Sequence, residues 1–174
     1  VGAIDGHENV VIGRSAGLNA VGGDRNVFLG AHAAGNGAIA GDNNICMGYT
    51  AGYDLTSGAS NILIGTDAGA NLTAGNDNIV IGHGAMNAAD TSTARHSCVA
   101  IGSNALGGQT DAVSHCVAIG ENALAIQNAA VKNTAVGGLS GVSIVGGTEN
   151  TLLGYMAGNA VSAGNSNTAL GHTA

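Results

Sequence analysis

A repetitive all-β fold, a β-roll (β-solenoid) of about ten 17-residue coils, is predicted from three observations. A glycine-anchored repeat runs the whole chain, small residues dominate the composition, and proline is absent. The anchors are the glycines that close each apolar triplet: Gly13, Gly30, Gly48, Gly65, Gly82, Gly102, Gly120, Gly137, Gly154 and Gly171. Their successive spacings are 17, 18, 17, 17, 20, 18, 17, 17 and 17 residues. A fixed period of this size marks a stack of like units, each completing its neighbour's core. Residues 1–174 therefore read as a single repetitive domain.

Composition narrows the architecture further. The chain has 31 Gly in 174 residues, one Phe, no Trp and no Pro. Only 9% of residues are charged, yet 45% are hydrophobic, which excludes the charged, apolar-poor chains that stay disordered. Glycine does not fall at every third position and proline is missing, which excludes collagen. A core of interlocking large side chains cannot be built from so few of them. Thin stacked layers can.

Taken from its start, the unit reads G-x-x-N-h-h-h-G-x-x-A. The opening G-x-x-N, as in Gly41 to Asn44 and Gly147 to Asn150, is turn chemistry. The Asn recurs at Asn9, Asn26, Asn44, Asn61, Asn78, Asn133, Asn150 and Asn167, with Cys98 and Cys116 in its place twice. Coils piled at the strand spacing of about 4.8 Å stack those residues into a ladder. The triplet is rich in Val, Ile and Leu and too short for a helix, so it reads as a strand. A glycine at the anchor permits a positive φ or a close backbone approach. Three residues later comes Ala, or Ser140 once, which fits a crowded contact with room only for a methyl. A 17-residue coil suits two short strands, and ten coils predict a rod about 45–50 Å long.

The triplets are apolar at every position, as in Val10-Val11-Ile12 and Ile62-Leu63-Ile64. Neighbouring strand residues point to opposite faces, and a strand apolar on both faces is buried on both. One face fills the coil; the other is expected to cover another copy of the same chain, in a parallel homo-oligomer.

Val99-Ala-Ile-Gly-Ser-Asn-Ala105 and Val117-Ala-Ile-Gly-Glu-Asn-Ala123 resemble the head repeats of YadA-like trimeric autotransporter adhesins. Asn61-Ile-Leu-Ile-Gly-Thr-Asp-Ala-Gly69 and Asn150-Thr-Leu-Leu-Gly-Tyr-Met-Ala-Gly158 are similar to related repeats of phage tail fibres and tailspikes. The resemblance covers essentially all ten repeats. It departs from the adhesin head in length, since that repeat is nearer 14 residues. It implies a left-handed parallel β-roll, three chains about one axis, in an elongated surface fibre that attaches to cells. Because the chain opens inside the pattern, it is expected to be a fragment of a longer fibre protein, extracellular, on a cell or virion surface. The expected partners are itself, as a homotrimer, and a cell-surface glycan or protein receptor. The rival reading is a structural shaft or filament that spaces a separate receptor-binding tip.

Other functions find little support. Formal net charge is −7, and the only fixed cations are Arg14, Arg25, Arg95 and Lys132, too few and too scattered for nucleic acid. No run of apolar residues suffices for membrane insertion. Catalysis needs converging acids, bases or nucleophiles, whereas acids such as Asp24, Asp42, Asp77 and Glu149 fall at turns. No enzymatic activity, cofactor or metal site is assigned. Cys98 and Cys116, with His96 and His115 beside them, would stand about 5 Å apart on adjacent coils, within disulfide or metal range. They replace the ladder Asn, and read first as small residues filling a stacked slot. Thr134, Thr151 and Thr168 form the one Thr row an ice-binding surface would want, but inside the triplet they are expected to be buried. The 20-residue spacing before Gly102 places its excess in residues 87–96. With the long turn at 107–115, this segment predicts lateral binding loops carrying Asp90, Thr91, Ser92, Thr93, Arg95, His96, Gln109 and Asp111.

Overall fold

The computed structural model describes residues 5–88, 95–108, 113–126 and 131–174. Each apolar triplet is a strand: β1 (Val10–Ile12), β2 (Val27–Leu29), β3 (Ile45–Met47), β4 (Ile62–Ile64), β5 (Ile79–Ile81), β6 (Val99–Ile101), β7 (Val117–Ile119), β8 (Thr134–Val136), β9 (Thr151–Leu153) and β10 (Thr168–Leu170). The ten strands form one parallel sheet in chain order, each pairing with the next in strict register. The chain thus returns to the sheet nine times, as a β-solenoid. A second strand per coil is not found among the described residues. The far side of the coil carries only isolated bridges, Ala20 to Ile39, Asn76 to His96 and His96 to Ser114. Elsewhere, turns hold the coils through single bonds such as Asp54 N–H to Ala70 O at 2.8 Å.

The anchor glycine is required twice over. Gly65 has a φ of +128°, and a β-carbon there would lie 2.8 Å from the carbonyl oxygen of Gly82, the next anchor. Both a strained backbone and a backbone clash exclude any side chain. A second constraint recurs without glycine. All ten residues preceding the ladder position, from Glu8 (φ 61°) to Ser166 (φ 56°), take the left-handed conformation. From Arg25 onward their N–H groups bond one coil back, as Ser60 does to Asp42 O at 2.9 Å. The strain of these nine left-handed turns is held by an inter-coil hydrogen bond.

The core lies inside the coil and is built from three columns. The middle residue of each strand points inward, and those of β2 to β9 are buried. The Ala column faces it and is also buried, from Ala16 to Ala157 with Ser140 in line. The crowding inferred for that column therefore lies within one chain. The third column, four residues past the anchor, trades volume with the first. Leu63 and Leu152 sit with Gly69 and Gly158, where a β-carbon would come within 3.0 and 2.5 Å of the leucine methyls. Coils with Ala100 and Ala118 in the strand instead carry buried Leu106 and Leu124. These coils are filled once, from one side or the other, while at Ala135 and Gly141 the space is taken by Leu124 and Leu152 of the adjoining coils, so close packing is met with few large residues.

This exchange predicts a coupled pair. Leu63→Ala alone should destabilise by about 2–5 kcal/mol through the cavity it leaves. Gly69→Leu alone should also destabilise, by overpacking. The double variant copies the sixth and seventh coils and should recover at least about 1 kcal/mol of the summed loss, read by denaturant unfolding.

Candidate functional site

The asparagine ladder forms as the spacing predicts, and every polar atom in it is used. Asn61 Nδ2 donates to Asn44 Oδ1 (3.0 Å) and to Gly75 O (2.7 Å). Asn61 Oδ1 accepts from the backbone N–H and the Nδ2 of Asn78, at 3.1 and 2.9 Å. The same pattern joins Asn26 to Asn44 and Asn133 to Asn150 to Asn167. Asn26, Asn44, Asn61, Asn78, Asn133 and Asn150 are buried, while Asn9 is half-buried and Asn167 exposed at the two ends of the stack. Buried amides are tolerated because none of their groups lacks a partner. The ladder is a structural spine, with no open coordination or reactive edge.

The two cysteine rungs follow from a steric link that the repeat alignment did not reveal. A β-carbon on Gly75 would lie 2.2 Å from Arg95 O and 3.0 Å from Asn78 Nδ2. The opening glycine and the ladder Asn thus crowd one space, although the eighth coil pairs Ala130 with Asn133 in sequence. In coils six and seven the opening residue is Arg95 or Val113, and the ladder residue is Cys98 or Cys116, which lacks the amide arm. Cys98 Sγ lies 3.7 Å from Val113 O, the carbonyl position an Asn amide would reach. The backbone N–H of Cys98 still bonds Asn78 Oδ1 at 3.0 Å, so the stack continues through it.

All three cysteines are buried and reduced. A hydrogen bond to Cys116, with burial, raises the Cys98 thiol far above its ordinary range. Burial alone pushes Cys46 up to about 12. Protonated thiols are poor nucleophiles and poor ligands. Among the described residues, no group of three or more His, Cys, Asp or Glu is arranged to hold a metal ion.

The lateral-loop expectation divides. Asp90, Thr91, Ser92, Thr93, Gln109 and Asp111 lie outside the described residues. Arg95 is wholly buried, which removes it from a solvent-facing epitope. It stands at the opening-glycine position, where the chain is pressed against the next coil. His96 is half-buried, bridges two coils, and accepts the Asn76 N–H through Nδ1 at 3.2 Å.

The outer sheet face differs most from a solvated surface. In β2 to β9 the middle residue is buried and its neighbours are half-buried or exposed, so two rows of side chains face outward. One row runs from Ile12 through Ile64 to Leu170 and is aliphatic or Met throughout. The other is aliphatic from Val10 to Val117, then continues as Thr134, Thr151 and Thr168. Ile12 is 59% exposed and Leu170 71%. The Thr row, expected inside, lies on this outer face: Thr151 and Thr168 are exposed and Thr134 is half-buried. Flanking positions of a triplet share a face, so only the middle residue can be interior. A second outward feature, which the repeat alignment did not single out, is an aromatic corner. His32 stands edge-on to Tyr49 and Tyr53, with centroids 6.1 and 6.3 Å apart. Comparison with family models, curated proteins and solved structures finds no match to this chain.

Two outcomes follow. Asn61→Ala leaves the buried Asn78 N–H and Gly75 carbonyl without partners and should destabilise by about 2–4 kcal/mol in denaturant unfolding. Raising the pH should also weaken the fold through Cys46. Its ordinary pKa of 9.0 applies when unfolded and about 12 when folded, so its stabilisation is complete below 9 and lost as pH rises towards 12. Tm should fall more steeply over that range than in Cys46→Ala.

Proposed function

We propose that this chain is a non-enzymatic segment of an extracellular fibre, a left-handed roll in which three parallel copies surround one axis and whose role is attachment to a cell surface. The observation that carries the reading is the uncovered apolar face of the sheet. Nine strand intervals at about 4.8 Å give it a length of about 43 Å. Monomeric soluble proteins seldom expose so long a contiguous apolar surface, and such surfaces mark interaction sites. A second copy with the same strand spacing matches it rung for rung, since identical repeats present identical periodicity. The resemblance to adhesin heads and tail-fibre repeats supports three copies and a place outside the cell.

Attachment is preferred to a bare shaft because the corner beyond the anchor varies from coil to coil in charge, size and aromaticity, while the sheet rows change only from aliphatic residues to Thr in one row after Val117. A spacer needs only the constant part. Arg14, Tyr49, His83, Glu121 and Tyr155 occupy one position on that corner, in exposed settings.

Light scattering coupled to size exclusion tests the assembly. The wild-type chain should run at three times its formula mass, and Ile62→Lys with Ile64→Lys should run at one, with its β-sheet circular dichroism retained. A folded wild-type monomer would refute the assembly. Retention of the assembled protein on intact cells tests attachment, and its absence favours the shaft.

A further inference from the structure

We propose that the corner holding Tyr49 and Tyr53 is a binding site for a neutral oligosaccharide, lying along the fibre axis; the inference rests on the attachment reading and names its ligand class. The chain has three tyrosines and no tryptophan, and two of the tyrosines stand within one five-residue corner of the third coil. Tyr49 is 53% exposed, although nothing in the fold needs it there. Corresponding positions hold Ala31 in the preceding coil and Thr66 in the following one. Tyr53 likewise corresponds to Gly35 and Ala70. His32, one coil back, contacts both rings edge-on and fixes their orientation.

Hydrogen-bonding groups run beside the rings. The position after Tyr53 is Asp54, and on nearby coils it is Asn19, Asn36 and Asn71, whereas later described coils place Ala88, Gly108, Ile126, Ser143 and Ala160 there, with no amide or carboxylate among them. Asn36 Nδ2 donates to Asp54 Oδ1 at 2.7 Å, and Asn19 Nδ2 to Asn36 O at 3.2 Å, which orients these amides. Asn19 and Asn36 are exposed. The polar stripe of the first four coils therefore includes the two coils that carry the aromatic corner.

A pyranose has an apolar C–H face and a rim of hydroxyls that both donate and accept. The exposed Tyr49 ring, with the half-buried Tyr53 beside it, suits the first, and amide and carboxylate groups suit the second. Tyrosine supplies such contact area at low conformational cost. The carboxylates of Asp54 and Asp67 in this corner, against one cation two coils away at Arg14, favour a neutral over an anionic sugar. The coil spacing offers one set of amide groups about every 4.8 Å, a rise that suits an extended saccharide chain. The site lies past the anchor glycine, off the apolar sheet face, so it does not compete with assembly.

The test uses the assembled full chain on an array of short neutral hexose and N-acetylhexosamine oligomers, with sialylated and phosphorylated members included. Binding to neutral members is expected, and Tyr49→Ala with Tyr53→Ala should weaken it by roughly tenfold or more, as loss of a central tyrosine anchor does. The variant places residues already present at, or close to, those of neighbouring coils, so its fold and mass should be unchanged. Tyr155→Ala, at the distant Tyr155–His172 stack, should leave binding intact. Undiminished binding by the double variant overturns the site, and preference for anionic members overturns the ligand class. Wild type that binds no array sugar yet is retained on cells overturns the carbohydrate proposal while attachment stands. Absence of both overturns the attachment reading with it.

Discussion

Each coil of this protein rests on the next through backbone, and at the anchor glycine the two chains approach so closely that no β-carbon fits between them. Because a β-carbon on Gly65 would lie 2.8 Å from the carbonyl oxygen of Gly82, the coils have one vertical register and no freedom to slip. From that register come the unbroken parallel sheet, the coaxial asparagine ladder and the stacked left-handed turns. Each is a column of identical backbone geometry, repeated at the strand spacing. A side chain is admitted to a column only if its copy above and below leaves room. This is why a chain with few large residues can be well packed, and why volume moves between the strand and the turn four residues past the anchor.

Much of this was legible in the residues. The ten strands fall on the ten apolar triplets because a strand of that length needs nothing beyond β-branched residues and a glycine to end it. The ladder was legible because one residue type recurs at one position. Features that depend on two columns at once were not. The exclusion between the opening glycine and the ladder Asn shows only when Gly75, Arg95 and Asn78 are seen together, and Arg95, which seemed a surface loop residue, proves buried at that crowded position. A 17-residue period suggested a second strand, but turns and single bonds replace it. The Thr134, Thr151 and Thr168 row was read as interior because the whole triplet looked apolar, whereas the pleat sends it outward.

The same geometry separates what is fixed from what varies. Interior columns are closed, with the ladder amides bonded to one another and the thiols of Cys46 and Cys98 held in their protonated form. The outer sheet face is apolar along one whole row and along the other as far as Val117, where three threonines follow. The corner beyond the anchor is where residues change from coil to coil, and the aromatic and amide groups of the second and third coils stand there. In the proposed reading, assembly and recognition fall on different sides of one coil, and neither interferes with the stacking that positions both.

The central claim is that the apolar face is covered by parallel, in-register copies of the same chain. Spin labels attached singly through Ile12→Cys and through Leu170→Cys, at opposite ends of that face, test it most directly, since the native thiols are buried. Each singly labelled protein should give short intermolecular distances between like labels, at both ends of the roll. Long distances at both positions, or no intermolecular coupling at all, would contradict it.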